Sequence, residues 1–211
     1  FKGFSSQAEP AGISVVTNER YARPDTSVAG QVLKVMAAKS DAVVAGGSGT
    51  PGALPHITLV ERGYKGPIYH NHGVINRDFL RVGGKSVEHA MAPTGPVMVA
   101  EQLPDSNPIK KVAMEFNKNY EATFGAGSRN AFAAYSYDGY LRLNQAVPAA
   151  LKKARPGTPE FRQALRDALE SSKEVVGTHA VYNTSATDHN GVDRRSRVLV
   201  EVANGDWKLV K

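Results

Sequence analysis

The stretch Asp41–Gly63, DAVVAGGSGTPGALPHITLVERG, decides the fold class because it passes from a strand through a glycine-rich turn into a helix. Val43–Ala45 is a short apolar run, which is typical of a buried strand in a parallel sheet. Leu54, Ile57 and Val60 fall on one face of the helix that follows. A strand, a turn of small residues and an amphipathic helix in this order predict a βαβ unit.

The same alternation continues on both sides of this stretch. The pattern predicts strands over residues 12–17, 41–45, 66–71 and 95–101, and helices over 27–39 and 53–62. Strands that alternate with helices at this spacing favour a parallel sheet flanked by helices, which is an α/β fold. Near the end of the chain, Asn204-Gly205 separates two apolar strands and predicts a two-residue hairpin.

The middle of the chain, residues 102–177, has a different character. It shows three amphipathic helices, one beginning after Asn107, one over about 131–150 and one capped by Thr158, and no convincing strand. Their apolar faces need a partner, and a sheet outside this chain would serve. We therefore expect Phe116, Tyr120 and Phe161 to be exposed and to favour self-association or retention of a missing N-terminal portion.

Composition excludes several classes of protein. The 211 residues include no cysteine, which removes disulfides, zinc–thiolate sites and thiol nucleophiles. The net charge of +6 comes from scattered Lys and Arg without an aromatic-and-basic stripe, so no nucleic-acid partner is expected. No apolar run approaches the ~20 residues of a membrane span. His56 and His89 are expected to be solvated, and no metal site is expected.

The glycines of the turn match the dinucleotide fingerprint G-x-G-x-x-G at Gly47, Gly49 and Gly52. That use requires an acidic residue at the end of the next strand, where this chain has Asn71-His72-Gly73. Pro51 also removes a backbone donor from the start of the helix. We therefore expect no nucleotide cofactor, and a nucleotide-dependent oxidoreductase is the weakest alternative. Two explanations of the glycines remain. The turn of small residues lets a ligand approach the backbone, or it is only a tight turn exposed to solvent.

The order of these pieces resembles a known family. The stretch NERYARPDTSVAGQVLKVMAAKSDAVVAGGSGTPGALPHITLVERGYKGPIYHNHGVINRDFLRVGGKSVEHAMAPTGP is similar to branched-chain-amino-acid-type substrate-binding proteins of ABC transporters, the type I periplasmic binding proteins. The stretches EFNKNYEATFG, AAYSYDGYLRLNQAV, FRQALRDALE and TDHNGVDRRSRVLVEVANGDWKLV agree with it, in the same order. The resemblance therefore covers essentially the whole chain.

The resemblance implies two Rossmann-like lobes, of which the first is incomplete here. Family members are longer, and this chain resembles their C-terminal three-fifths. Residues 1–102 and 196–211 would form most of the second lobe, and residues 103–195 would be the mostly helical C-terminal part of the first lobe. The parallel sheet of the first lobe and the opening strand of the second lobe would be absent.

The resemblance also implies a ligand site, because family members bind a solute between the lobes. Two loops of the second lobe carry over, which gives as ligand-binding residues Ser48, Gly49, Thr50, Asn71, His72 and Gly73. In amino-acid-binding members an acidic side chain stands where this chain has His72. Since a buried ammonium needs a counter-charge, a small organic acid without an ammonium group, such as an aromatic carboxylate, is the expected solute, with an amino-acid-like acid as the alternative. His72 would donate a hydrogen bond to such an acid or pair with it as imidazolium.

The function that the resemblance implies is binding without catalysis. No nucleophile motif or carboxylate pair in the sequence indicates an enzyme. We expect an exported, periplasmic solute-binding component of an ABC importer, with the small-molecule solute and the membrane permease as partners. A ligand-sensing receptor or regulator domain of the same fold is the alternative.

Overall fold

The computed structural model describes residues 2–210, so Phe1 and Lys211, the outer ends of the expected second lobe, lie outside the described residues. By its internal contacts the chain divides into two compact units, residues 2–93 with 199–210 and residues 94–198. We refer to them as the sheet unit and the helical unit. The assignment of each unit to a lobe remains a prediction.

The sheet unit contains a five-stranded sheet. Its strands, in spatial order, are β1 Val43–Ala45, β2 Ile68–His70, β3 Met91–Thr94, β6 Val198–Ala203 and β7 Asp206–Leu209. β1 pairs with β2 and β2 with β3 in parallel, as the βαβ pattern predicts, while β6 and β7 are antiparallel. Asn204 and Gly205 have φ of 57° and 72°, which confirms the predicted hairpin turn.

Helices α1 Lys2–Ala8, α2 Ala29–Ala37, α3 Ala53–Glu61 and α4 Arg77–Gly83 belong to the sheet unit. α2 and α3 agree with the predicted helices, whereas α1 and α4 were not predicted. The buried core between α2, α3 and the sheet consists of Val28, Val32, Leu59 and Ile68. This core fixes the start of α3 directly behind the turn that follows β1.

The strand predicted over residues 12–17 is wrong. Ile13, Val15 and Val16 are exposed, and this stretch pairs with no strand in the part of the chain that the structure describes. β-branched residues favour extended backbone, but a strand is stable only when a neighbouring strand satisfies its backbone groups.

The helical unit is built from α5 Pro108–Phe124, α6 Ala131–Leu151 and α7 Pro159–Glu170. Their N-terminal caps confirm the sequence signals: Asn107 Oδ1 accepts from the Ile109 N–H at 2.9 Å, and Thr158 Oγ1 accepts from the Phe161 N–H at 3.1 Å. Two short strands, β4 Val175–Val176 and β5 Val181–Tyr182, form an antiparallel pair.

The expectation that Phe116 is exposed is wrong. Phe116 is 7% exposed and packs in a core with Ile109, Ala113 and Ala134. Tyr120 is half-buried against the same core and Phe161 is also only partly exposed, so the helices cover much of one another's apolar faces. The large apolar side chains that are exposed on α6 are others, Phe132, Tyr135, Tyr140, Leu143 and Leu151.

The strand predicted over residues 95–101 is also wrong, because Pro96–Gln102 forms a 3-10 helix and the strand is β3, just before it. Val97 and Ala100 are buried in the core of the helical unit. A short apolar run has no periodicity that separates a strand from a buried helical turn.

Among the described residues no helix is long and apolar enough to cross a membrane.

Candidate functional site

The two loops expected to bind the ligand lie side by side in the sheet unit. Because β1 and β2 are parallel neighbours, the loops after Ala45 and after His70 lie at the same edge of the sheet. The Gly49 N–H donates a hydrogen bond to the Gly73 carbonyl at 3.0 Å. The structure therefore brings Ser48, Gly49 and Thr50 together with Asn71, His72 and Gly73, and we call these six residues the loop surface.

The glycines of the first loop are needed for close packing. A Cβ on Gly47 would lie 2.5 Å from Cα of Gly52, and a Cβ on Gly52 would lie 2.8 Å from Cγ1 of Val74. Gly49 has φ of 61° and ψ of −153°, a conformation that is essentially restricted to glycine. Close backbone approach and one unusual dihedral thus account for the G-x-G-x-x-G spacing without a nucleotide.

The second loop is held by its own side chains. Asn71 Oδ1 accepts from the Gly73 N–H at 2.9 Å, and Asn76 Nδ2 donates to the Gly73 carbonyl at 3.4 Å. A Cβ on Gly73 would lie 2.8 Å from Cβ of Ser48. The N–H and the carbonyl of Gly73 are therefore both hydrogen-bonded within the protein. Gly73 allows the close approach of the two loops, and it does not offer a hydrogen bond to a ligand.

His72 is half-buried in the loop surface, and its surroundings favour the neutral imidazole. Burial lowers its pKa from the ordinary value of 6.5, and a hydrogen bond to the Pro93 carbonyl acts in the opposite direction without cancelling the effect. The ring N–H donates that bond. Burial disfavours the first expected role of His72, pairing as imidazolium. The second, donating a hydrogen bond to the acid, is also disfavoured, because a neutral imidazole has one N–H and this one is bonded to the Pro93 carbonyl.

The hydroxyl groups of Ser48 and Thr50 are the polar groups that the first loop offers to solvent. Both residues are exposed, and neither side chain makes a hydrogen bond to another residue between positions 2 and 210. Residues 46–50 and 71–76 include no Asp or Glu. The loop surface can therefore donate and accept hydrogen bonds, but it contains no carboxylate that could balance an ammonium group.

Two buried histidines lie behind the loop surface. His56 on α3 and His70 at the end of β2 are each 2% exposed, and Nδ1 of His56 lies 2.9 Å from Nε2 of His70. The expectation of a solvated His56 is wrong, because the ring lies against the sheet. The sequence signal that was missed is the place of His56 on the same helical face as Leu59, three residues later.

The helical unit has one buried carboxylate, Asp138, which is 1% exposed. Its oxygens accept from the Thr178 N–H at 2.6 Å and Oγ1 at 2.7 Å, from the His179 N–H at 3.0 Å and from the Tyr182 hydroxyl at 2.7 Å. These four donors show that Asp138 fastens the β4–β5 turn to α6.

Within the described residues, no group of three or more His, Asp or Glu could hold a metal ion.

The chain is similar to proteins of known family and known structure. A family model described as periplasmic binding protein matches residues 2–206. The chain is similar to Rp1789 of Rhodopseudomonas palustris strain CGA009, with 49% identity and a TM-score of 0.95 over 100% of this chain and 59% of that one. An extracellular ligand-binding receptor from Rhodopseudomonas palustris HaA2 gives 47% identity and a TM-score of 0.95, with the same coverage.

More distant structures show likeness of fold alone. A leucine binding protein, LivK, from Thermotoga maritima MSB8 is 21% identical, with a TM-score of 0.79 over 100% of this chain and 55% of that one. No curated protein matches the chain. The chain spans 59% of the length of the Rhodopseudomonas palustris structures that it matches at 47–49% identity.

Proposed function

Since the chain belongs to the periplasmic binding protein family, we propose that it is part of the solute-binding component of an ABC importer. The protein would bind a small molecule outside the cytoplasm, in the periplasm, and deliver it to the membrane permease without chemical change. The relatives at 47–49% identity support binding over catalysis, since one of them is described as an extracellular ligand-binding receptor.

The proposed place of binding is the loop surface. In this proposal the sheet unit is most of the second lobe, and the helical unit is the C-terminal part of the first lobe. Ser48 and Thr50 would donate hydroxyl hydrogen bonds to the solute, while the ring of His72 would form one wall. The hydrogen bonds that hold Gly49 and Gly73 in place pre-organise the two loops, which reduces the entropic cost of binding.

The proposed solute is a small organic acid, such as an aromatic carboxylate, in preference to an amino acid. The single observation behind this choice is that neither loop contains an Asp or Glu. An α-ammonium group buried against the loop surface would lack a counter-charge there, at a cost of several kcal/mol.

The test begins with native mass spectrometry of the full-length protein purified from its own host, which weighs any solute that remains bound. Thermal denaturation of the solute-free protein with benzoate-type acids and with leucine then compares the two classes. We expect the midpoint to rise with an acid and not with leucine. A large rise with leucine and none with the acids would contradict the proposed solute class. The absence of any bound or stabilising small molecule would contradict solute binding itself.

A further inference from the structure

The segment just before α2 packs on the first loop of the loop surface. The hydroxyl of Tyr21 donates to the Pro51 carbonyl at 3.3 Å, and a Cβ on Gly47 would lie 2.6 Å from that hydroxyl oxygen. The Tyr21 ring is half-buried against the core formed by Val28, Val32, Leu59 and Ile68. This anchor fixes the position of the residues that follow Tyr21.

Arg23, two residues after this anchor, reaches the same loop. Its Nη2 atom lies 3.8 Å from the point where a Cβ on Gly49 would be. Arg23 is exposed, and no hydrogen bond or ion pair joins its side chain to another residue in the described range 2–210. The guanidinium group therefore lies at the rim of the loop surface without a protein counter-charge.

The carboxylates near Arg23 in sequence are occupied elsewhere. Asp25 Oδ2 accepts from the Ala22 N–H at 2.7 Å, which closes the turn that contains Arg23. Glu19 pairs with Nζ of Lys34 at 3.3 Å. The turn is thus held by Asp25 through the backbone, which leaves the guanidinium able to take an anionic partner from outside.

An acid bound at the loop surface needs a cation, and burial of His72 lowers its pKa and so disfavours the imidazolium. Arginine is charged at every physiological pH, and its planar fork matches the two oxygens of a carboxylate. Gly49 has no side chain, so the guanidinium lies beside the backbone of the first loop.

We propose that Arg23 is a further ligand-binding residue, which pairs with the carboxylate of the solute beside the Gly47–Thr50 loop and so selects organic acids over their neutral analogues. This inference rests on the proposed function, because it assumes that the loop surface is the solute site. It adds a residue that is distant from both loops in sequence and assigns the charge recognition to Arg23 instead of His72.

The experiment measures binding of benzoate and 4-hydroxybenzoate, each beside its amide, to the full-length protein by calorimetry. The variants are Arg23→Ala and Arg23→Lys, and the matched control is Arg20→Ala, an exposed arginine on the same segment. We expect the acids to bind more tightly than the amides. Arg23→Ala should raise the Kd for acids roughly ten- to a hundredfold and remove the preference over amides. Arg23→Lys should give an intermediate loss, and Arg20→Ala no change.

The outcomes separate the two proposals. An acid that binds Arg23→Ala within twofold of the wild type overturns the role of Arg23 and leaves solute binding standing. Wild-type binding of the amides as tight as that of the acids, or binding of neutral solutes alone, overturns it as well. No binding of any probe, together with no bound solute in the native protein, contradicts the proposed function. Unchanged thermal midpoints of the solute-free variants exclude misfolding as the cause of a loss.

Discussion

Nε2 of His70 lies 2.9 Å from Nδ1 of His56, and the two rings stack with centroids 5.2 Å apart inside the sheet unit. His56 also bonds the backbone carbonyl of Ser86, so its other ring nitrogen has the proton and Nδ1 accepts from His70. Nδ1 of His70 is then unprotonated, and it is buried without a hydrogen-bond partner among residues 2–210. A proton added to this pair has no acceptor nearby.

Acid should therefore destabilise the sheet unit. Burial lowers the pKa of His56 to about 4 and, with repulsion from His56, that of His70 to about 3, against 6.5 for the ordinary side chain. Because both folded pKa values are lowered, the stabilisation is complete above pH 6.5 and is lost as the pH falls towards 4. His56 alone accounts for about 2 kcal/mol of lost stability at pH 5.

Urea denaturation between pH 7 and pH 5 measures this effect. The double variant His56→Leu/His70→Leu should show a smaller change of the unfolding free energy over this range, whatever its stability at pH 7. Val60→Ala, at an exposed residue of α3 that cannot titrate, is the control and should keep the wild-type slope. A double variant with the full wild-type slope would show that other groups cause the acid sensitivity.

Two adjacent glycines should differ sharply in their tolerance of a methyl group. Gly47→Ala places Cβ 2.5 Å from the Gly52 backbone and should cost about 1–3 kcal/mol of unfolding free energy. Gly46→Ala is the matched control, since nothing lies within 4 Å of its Cβ. Chemical denaturation of both variants measures the difference. Equal stability of the two would mean that the turn after β1 is looser than the structure shows.

The elements that local signals specify could be predicted from the sequence. Asn107 and Thr158 each mark a helix start through one side-chain oxygen, and Asn204-Gly205 marks a hairpin through two positive φ angles. The adjacency of the two loops also follows from the strand order, because parallel strands end at the same edge.

The features that depend on tertiary packing could not be predicted. The apolar run Pro96–Gln102 is helical because it packs against α5, and the strand-like residues 12–17 pair with no strand among residues 2–210. His56 is buried because the face of α3 that contains Leu59 packs inward, whereas the apolar pattern pointed to the face that contains Val60, which is exposed. Arg23 is remote from both loops in sequence, so its proximity to Gly49 could only be found in three dimensions.

Loss of the Asp138 carboxylate should destabilise the helical unit strongly. Asp138→Ala leaves four buried donors without an acceptor and should lower the unfolding free energy by about 3 kcal/mol or more. Asp138→Asn keeps one oxygen and should lose less. The control is Asp105→Ala, whose side chain is 99% exposed and which should leave the denaturation midpoint nearly unchanged. An Asp138→Ala midpoint equal to that of the control would contradict the fastening role of Asp138.

Solute binding should not depend on the titration of His72. Burial keeps the pKa of His72 below 6.5, so the ring is neutral between pH 7.5 and pH 9 while an arginine stays charged. The Kd for benzoate-type acids, measured by calorimetry on the full-length protein, should therefore be constant within about twofold over this range. If an imidazolium were the counter-charge instead, the Kd would rise about tenfold for each pH unit above the pKa of His72. His72→Gln keeps hydrogen-bonding capacity and removes titration, so its pH profile should be equally flat; a steep wild-type profile that this variant flattens would return the charge recognition to His72.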